Sequence, residues 1–201
     1  WGINLGWSRG LQDNRVERFP AGWYYRARLY SNSLGTLPGS LPESHTLSYP
    51  WFSYLRIHEN FVEIPNLTTM DETKDVGIGH RVSILLGAAT EDFGSDDDYA
   101  VVQIDYSGNY QPEENQLNGL FGKITSLMGG GSQRNTRFQG GFNWYHFGGS
   151  RYIYYIGGQL MHDTHPEADN QVLLGGDNGL RGYPIRYQSG ESKALFSAEQ
   201  R

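Results

Sequence analysis

The sequence predicts an all-β protein of about nine antiparallel strands, and three observations carry that expectation. Large apolar residues alternate with small or polar ones over long stretches. Five Trp, fourteen Tyr and nine Phe stand beside 27 Gly, with no Cys, in 201 residues. That mixture suits many strands joined by turns and is too aromatic for a disordered chain. No segment keeps helical spacing for a useful length.

The strands are expected in order along the chain. Over 1–9, Trp1, Ile3, Leu5 and Trp7 alternate with Gly2, Asn4, Gly6 and Ser8. Over 23–31, Trp23, Tyr25, Ala27 and Leu29 oppose Tyr24, Arg26, Arg28 and Tyr30. A third run covers 48–63. The fourth, 76–89, sets Val76, Ile78, Val82, Ile84 and Leu86 against Gly77, Gly79, Arg81 and Ser83. A fifth covers 98–107. The sixth, 117–128, is irregular, because Leu120, Phe121, Ile124 and Leu127 do not settle on one face. Over 134–147, Phe138, Phe142 and Trp144 oppose Arg137, Gln139 and Asn143. Over 151–162, Tyr152, Tyr154, Ile156 and Leu160 oppose Arg151 and Gln159, and 192–201 is the ninth run. Polar or Gly/Pro-rich breaks separate them: Gln12–Gly22, Asn32–Pro42, Pro65–Lys74, Thr90–Asp98, Gly108–Gln116, Gly129–Gln133 and His165–Gln188. No linker divides residues 1–201 into domains. The chain opens at Trp1 and its last residues read as the middle of a strand, so a piece of a longer protein is expected.

Composition excludes several classes. Mean hydropathy is −0.58, and the longest apolar run, Val82–Ala89, falls far short of the ~18 residues of a spanning helix. A net charge of −6 offers no basic field to nucleic acid. Without Cys there is no disulfide, thiolate metal site or thiol nucleophile. Alternating strands fit a soluble sandwich, or a membrane β-barrel with apolar residues toward lipid and polar residues toward the lumen. The barrel is favoured by long strands, by polar faces that carry Arg and Gly, and by aromatic residues near strand ends: Trp1, Trp7, Trp23, Trp51, Trp144, Tyr145 and Tyr152.

One long loop holds a dense motif: Leu174-Gly175-Gly176-Asp177-Asn178-Gly179-Leu180-Arg181-Gly182-Tyr183-Pro184. Physically it is a tight, glycine-permitted backbone that fixes one Arg and one aromatic. No Gly-Lys-Ser/Thr follows, so it is not a phosphate loop. Leu180-Arg181-Gly182-Tyr183 resembles the apolar-Arg-Gly-aromatic signature of the BamA/TamA superfamily, the bacterial surface antigen barrels. Tyr49-Pro50-Trp51-Phe52 and Lys74-Asp75-Val76-Gly77-Ile78-Gly79 resemble strand entries of such barrels, and Ala194–Arg201 resembles the strand after the signature.

The resemblance implies an outer-membrane barrel of sixteen strands, of which this chain would supply about nine. It also implies that loop 163–191 folds into the lumen, where Arg181 pairs with Glu199 on the next strand. Gly175, Gly176, Gly179 and Gly182 would shape the loop, together with Asp177 and Leu180, and Tyr183 would pack it. The implied function is insertion or translocation of client polypeptides, with outer-membrane lipid and lipopolysaccharide as surroundings and no cofactor. Two other readings stay open: a barrel that anchors a fused soluble enzyme such as a patatin-like lipase, and a passive pore.

Other side chains invite weaker readings. His162, Asp163, His165, Glu167 and Asp169 are metal-capable, but such a run suits a solvated loop shoulder. Glu91, Asp92, Asp96, Asp97 and Asp98 lack the interleaved spacing of a calcium loop. No Gly-x-Ser-x-Gly occurs and no Ser–His–Asp spacing compels a triad, so no catalytic residue is assigned. Arg26, Arg28, Arg81, Arg137 and Arg151 share the polar faces, where pairing with acids such as Asp105 is expected. Asn66-Leu67-Thr68 matches a glycosylation acceptor without meaning in a bacterial barrel.

Overall fold

A computed structural model describes residues 1–31, 44–65, 67, 72–129, 134–149, 152–165 and 171–200. Eleven strands form: β1 (Gly2–Leu11), β2 (Arg15–Arg28), β3 (His45–Pro65), β4 (Thr73–Ala89), β5 (Tyr99–Tyr110), β6 (Gln116–Gly129), β7 (Arg134–Gly148), β8 (Tyr152–Thr164), β9 (Val172–Leu174), β10 (Gln188–Gly190) and β11 (Ser192–Gln200). Nine of them make one antiparallel sheet in the order β1-β2-β3-β4-β5-β6-β7-β8-β11, and β9 pairs with β10 in a separate hairpin. The large sheet is open, with β1 and β11 as its edges. All nine expected strands are present, and the only helical elements among the described residues are two single 3-10 turns, Glu91–Phe93 and Gly176–Asn178.

The breaks differ most at the first, and β9 lies inside the one expected over His165–Gln188. Residues 15–22, expected as part of a turn, are the first half of β2, and the β1–β2 turn is only 12–14, with Asp13 and Asn14 at positive φ. Pro20 misled the reading, because proline cannot donate to a ladder. Here β2 pairs continuously with β1, while its pairing with β3 skips Phe19 and Pro20, so the missing donor falls at a gap.

β6 is regular after all. Leu120, Ile124 and Met128 share one face, and Leu117, Phe121 and Leu127 the other, by strict alternation. The strand looked irregular because both of its faces meet apolar partners. Leu127 packs against a small buried cluster of Ala89, Tyr99 and Val101. Phe121 lies over Gly141, where an added Cβ would come within 2.6 Å of the ring. Phe142 over Gly158 and Tyr49 over Gly87 repeat that arrangement, each leaving only 2.7 Å for a Cβ. Glycine in a strand costs entropy, but these positions let a neighbouring ring lie flat on the sheet.

The connections differ between the two rims, with 130–133 the short exception at the second. At one rim, β1–β2, β3–β4, β5–β6 and β7–β8 join through 12–14, 66–72, 111–115 and 149–151; at the other, the connections are 29–44, 90–98, 130–133 and 165–191. Arg151, Arg201, Asn66, Thr68, Glu167 and Asp169 lie outside the described residues.

Candidate functional site: the returning loop and the two faces of the sheet

The connection from β8 to β11 runs through 165–191, since Asp163 and Thr164 belong to β8. Its core is the β9–β10 hairpin with the glycine motif at its tip. The Gly175 amide donates to Asn178 Oδ1 at 2.8 Å, Asn178 Nδ2 donates to the Leu173 carbonyl at 2.8 Å, and the Leu180 amide donates to the Gly175 carbonyl at 3.0 Å. A Cβ on Gly176 would sit 2.4 Å from the Tyr183 carbonyl oxygen, so this crossing requires glycine. Asp177 Oδ1 accepts from the Arg186 amide at 3.5 Å, and Tyr183 stacks obliquely on Tyr187 with centroids 5.0 Å apart. Gly179 (φ +115) and Gly182 (φ +86) supply the left-handed turns on either side of Leu180-Arg181.

This tip lies along one face of β11. An added Cβ on Gly179 would be 2.2 Å from Leu195 Cδ2, and Arg181 Nη2 lies 3.4 Å from Glu199 Oε1. Leu195 and Glu199 share a face by alternation. From Ser192 to Glu199 is seven residues, about 23 Å at ~3.3 Å per residue. The loop therefore leaves the rim and doubles back along the sheet. The structure thus brings together Arg181 and Glu199, the two residues singled out for pairing. Their pair is open to water on the arginine side: the Arg181 side chain is 83% exposed and that of Glu199 24%. Tyr183 packs within the loop on Tyr187 and is half exposed.

The face that receives the loop is the polar one. In register across it stand Arg81, Ser83, Gln103, Asp105, Lys123 and Gln139. Lys123 Nζ is 3.3 Å from Asp105 Oδ1, so the expected acid takes a lysine. Arg137 pairs instead with Asp163, a residue first read as metal-capable: Nε reaches Oδ1 at 2.6 Å and Nη2 reaches Oδ2 at 2.5 Å. Asp163 has no exposed surface, and the two residues are direct cross-strand partners on β7 and β8. Near the rim of the long connections, Arg26, Arg28, Lys123 and Arg137 line a cleft of about 420 Å³ together with Tyr24, Tyr49 and Tyr99.

The opposite face is apolar, and its exposed residues include Leu5, Phe52, Leu86, Leu120, Phe142, Leu160 and Phe196. Its pattern drifts across the sheet. One transverse row runs Trp7, Phe19, Tyr54, Ile84, Ile104, Ile124 and Phe138, then turns polar at His162 and Ser192. The next row starts with Arg9, Glu17 and Arg56 and turns apolar, ending on Leu160 and Ala194. On β1 the apolar zone stops between Trp7 and Arg9; on β11 it stops three rows further on, between Ala198 and Gln200.

The remaining candidates are dispersed. His162 and Asp163 point to opposite faces, and His162 Nδ1 is 2.7 Å from Ser192 Oγ. No group of three or more metal-capable residues converges among the described residues. Three acids of the β4–β5 connection have hydrogen-bond donors nearby: Asp96 Oδ2 accepts from the Thr46 amide of β3 at 2.6 Å, Asp97 Oδ2 from the Tyr99 hydroxyl of β5 at 2.5 Å, and Asp98 Oδ1 from the Glu91 amide at 3.1 Å. Sequence reasoning missed the Arg137–Asp163 pair and the Arg9–Glu17–Tyr54 cluster. Their signal was available only as opposite charges at facing positions once register is known. No family model, curated protein or solved structure matches the chain.

Proposed function

We propose that this sheet is part of the wall of an outer-membrane β-barrel of the BamA/TamA type, which inserts or translocates polypeptides and performs no covalent chemistry. The observation that carries the reading is the return of loop 165–191 along the polar face, with Arg181 at Glu199. A loop so placed plugs a lumen, and a solvent-exposed single contact is a latch that opens at little cost. Opening it would let a client strand or chain use the space that the loop vacates.

The membrane part of the proposal has separate support. The apolar zone slides six residues over eight strand-to-strand steps, roughly 20 Å against 38 Å at ~3.3 Å per residue and ~4.8 Å per strand. For that zone to lie level, the strands must tilt by roughly 28°, approaching the ~35–45° of membrane barrels. A level belt of exposed Leu, Phe, Ile and Trp is what a hydrocarbon layer demands, and water penalises it. Three of the four connections at one rim outrun every turn at the other, with 130–133 the exception, in keeping with the outer and periplasmic ends of such barrels. Further strands would complete the wall beyond the edges β1 and β11.

The test is reconstitution of the full-length native protein in liposomes, followed by addition of a urea-unfolded small outer-membrane barrel. Faster acquisition of protease protection than with empty liposomes is the expected result. Steady ion conductance without acceleration would assign a passive pore instead. Lipid hydrolysis without acceleration would assign an enzyme anchor.

A further inference from the structure

The lower edge of the apolar zone is not uniform. From β4 to β7 it passes into His80, Gly108, Asn118 and His146, whereas on β1–β3 it breaks onto charge. Below the aromatic row of Trp7, Phe19 and Tyr54 stand Arg9, Glu17 and Arg56, and the row after that holds Arg15 and His58. Glu17 is already satisfied. It accepts from Arg9 Nε at 2.8 Å and Nη2 at 2.6 Å, and from the Tyr54 hydroxyl at 2.8 Å. Asp13, in the exposed turn, takes Arg15 at 3.1 Å. Arg56 is exposed and makes no hydrogen bond or ion pair among the described residues. Glu17 and Asp13 thus offset two of the three guanidiniums here, and Arg56 is left over.

We infer that the Arg9, Arg15 and Arg56 patch binds the phosphate of an anionic phospholipid headgroup. The inference rests on the membrane reading above. Rows on one face are ~6.6 Å apart along a strand, so Arg9 and Arg56 sit one step and Arg15 two steps outside the aromatic row, at headgroup depth if that row marks the hydrocarbon edge. A guanidinium fork matches two phosphate oxygens and is weakly hydrated, which suits it to this boundary. A zwitterionic lipid would bring its ammonium group beside Arg15 and His58, with both nearby acids, Glu17 and Asp13, already engaged. The patch also lies at the rim of short turns, where a barrel of this kind meets the phospholipid leaflet and not the lipopolysaccharide one.

Native mass spectrometry of the full-length protein, released from micelles doped equally with phosphatidylglycerol and phosphatidylcholine, tests this. Preferential retention of phosphatidylglycerol is expected. Arg56→Gln should cut the preference about fivefold, and Arg15→Gln added to it should remove most of the remainder. Both variants leave the Glu17 hydrogen bonds intact, and unchanged heat-modifiability on gels checks their folding. Equal retention of the two lipids, an unaltered preference in the folded double variant, or stronger retention of lipopolysaccharide would overturn the inference. Flotation with phosphatidylcholine vesicles separates the two levels. A protein that floats without lipid preference loses only the headgroup site, and one that does not float loses the membrane reading as well.

Discussion

Two arginine–carboxylate pairs stand on the same polar face and do different work. Arg137 and Asp163 are direct cross-strand partners joined by two short parallel hydrogen bonds, with the arginine 29% exposed and the aspartate fully buried. Arg181 and Glu199 meet through one contact at 3.4 Å, with the arginine almost entirely in solvent. The first pair is built into the ladder, so its geometry is fixed by backbone pairing before the side chains meet. The second joins a loop to a strand, beside the close approach of Gly179 to Leu195. Burial and bidentate geometry make the first a brace of the sheet, because breaking it strands a charge away from water. Exposure makes the second a latch, because water takes over either group when they part.

The sharpest way to break the comparison is Asp163→Ala, which should destabilise the sheet by about 3 kcal/mol, since Arg137 keeps some access to solvent. Urea unfolding followed by heat-modifiability measures it, and a loss no larger than that of Arg181→Ala would erase the distinction. Gly179→Val comes next. It combines a φ of +115° with a clash against Leu195 of β11, a strain of about 1–3 kcal/mol centred on the loop. Trypsin should then cut faster after Arg186 while the sheet's unfolding midpoint holds.

A third test uses charge without the fork. Arg137→Lys should cost about 1.5 kcal/mol, the value of one charged hydrogen bond, while Arg181→Lys should be nearly silent, because that pair makes one contact only. Parallel unfolding curves of the two variants decide it. Smallest of all, Arg181→Ala should change global stability by less than ~1 kcal/mol yet quicken cleavage of the loop up to about fivefold. Added salt should reproduce part of that quickening in the parent protein, and leave the Asp163 brace unmoved.

Much of the fold was legible because a strand announces itself every second residue. Trp1 to Ser8, Phe138 to Trp144 and Tyr152 to Leu160 read as alternating and are so. β6 read as confused because alternation tells only that two faces differ, not that one is polar; Phe121 over Gly141 made both faces apolar. The first half of β2 was lost to Pro20, whose missing donor is harmless where the ladder to β3 already skips. In the loop, the glycines marked a tight turn, and the resemblance named Glu199 as the partner of Arg181. Nothing local could have named Asp163 as the partner of Arg137, 26 residues away.

The sequence by itself determined the all-β class, the nine strands of the large sheet, the segregation of apolar and polar faces and the compact shape of the glycine loop. Each depends on neighbours within a few residues, where backbone sterics and period-two geometry suffice. Tertiary structure alone decided the register, and with it the diagonal course of the apolar zone, the Arg137–Asp163 brace and the charged break at Arg9, Glu17 and Arg56. It also decided how far loop 165–191 runs back and how much water its latch sees. The reason is that these are relations between strands: a shift of one residue in pairing would move every side chain to the other face without changing the pattern within either strand.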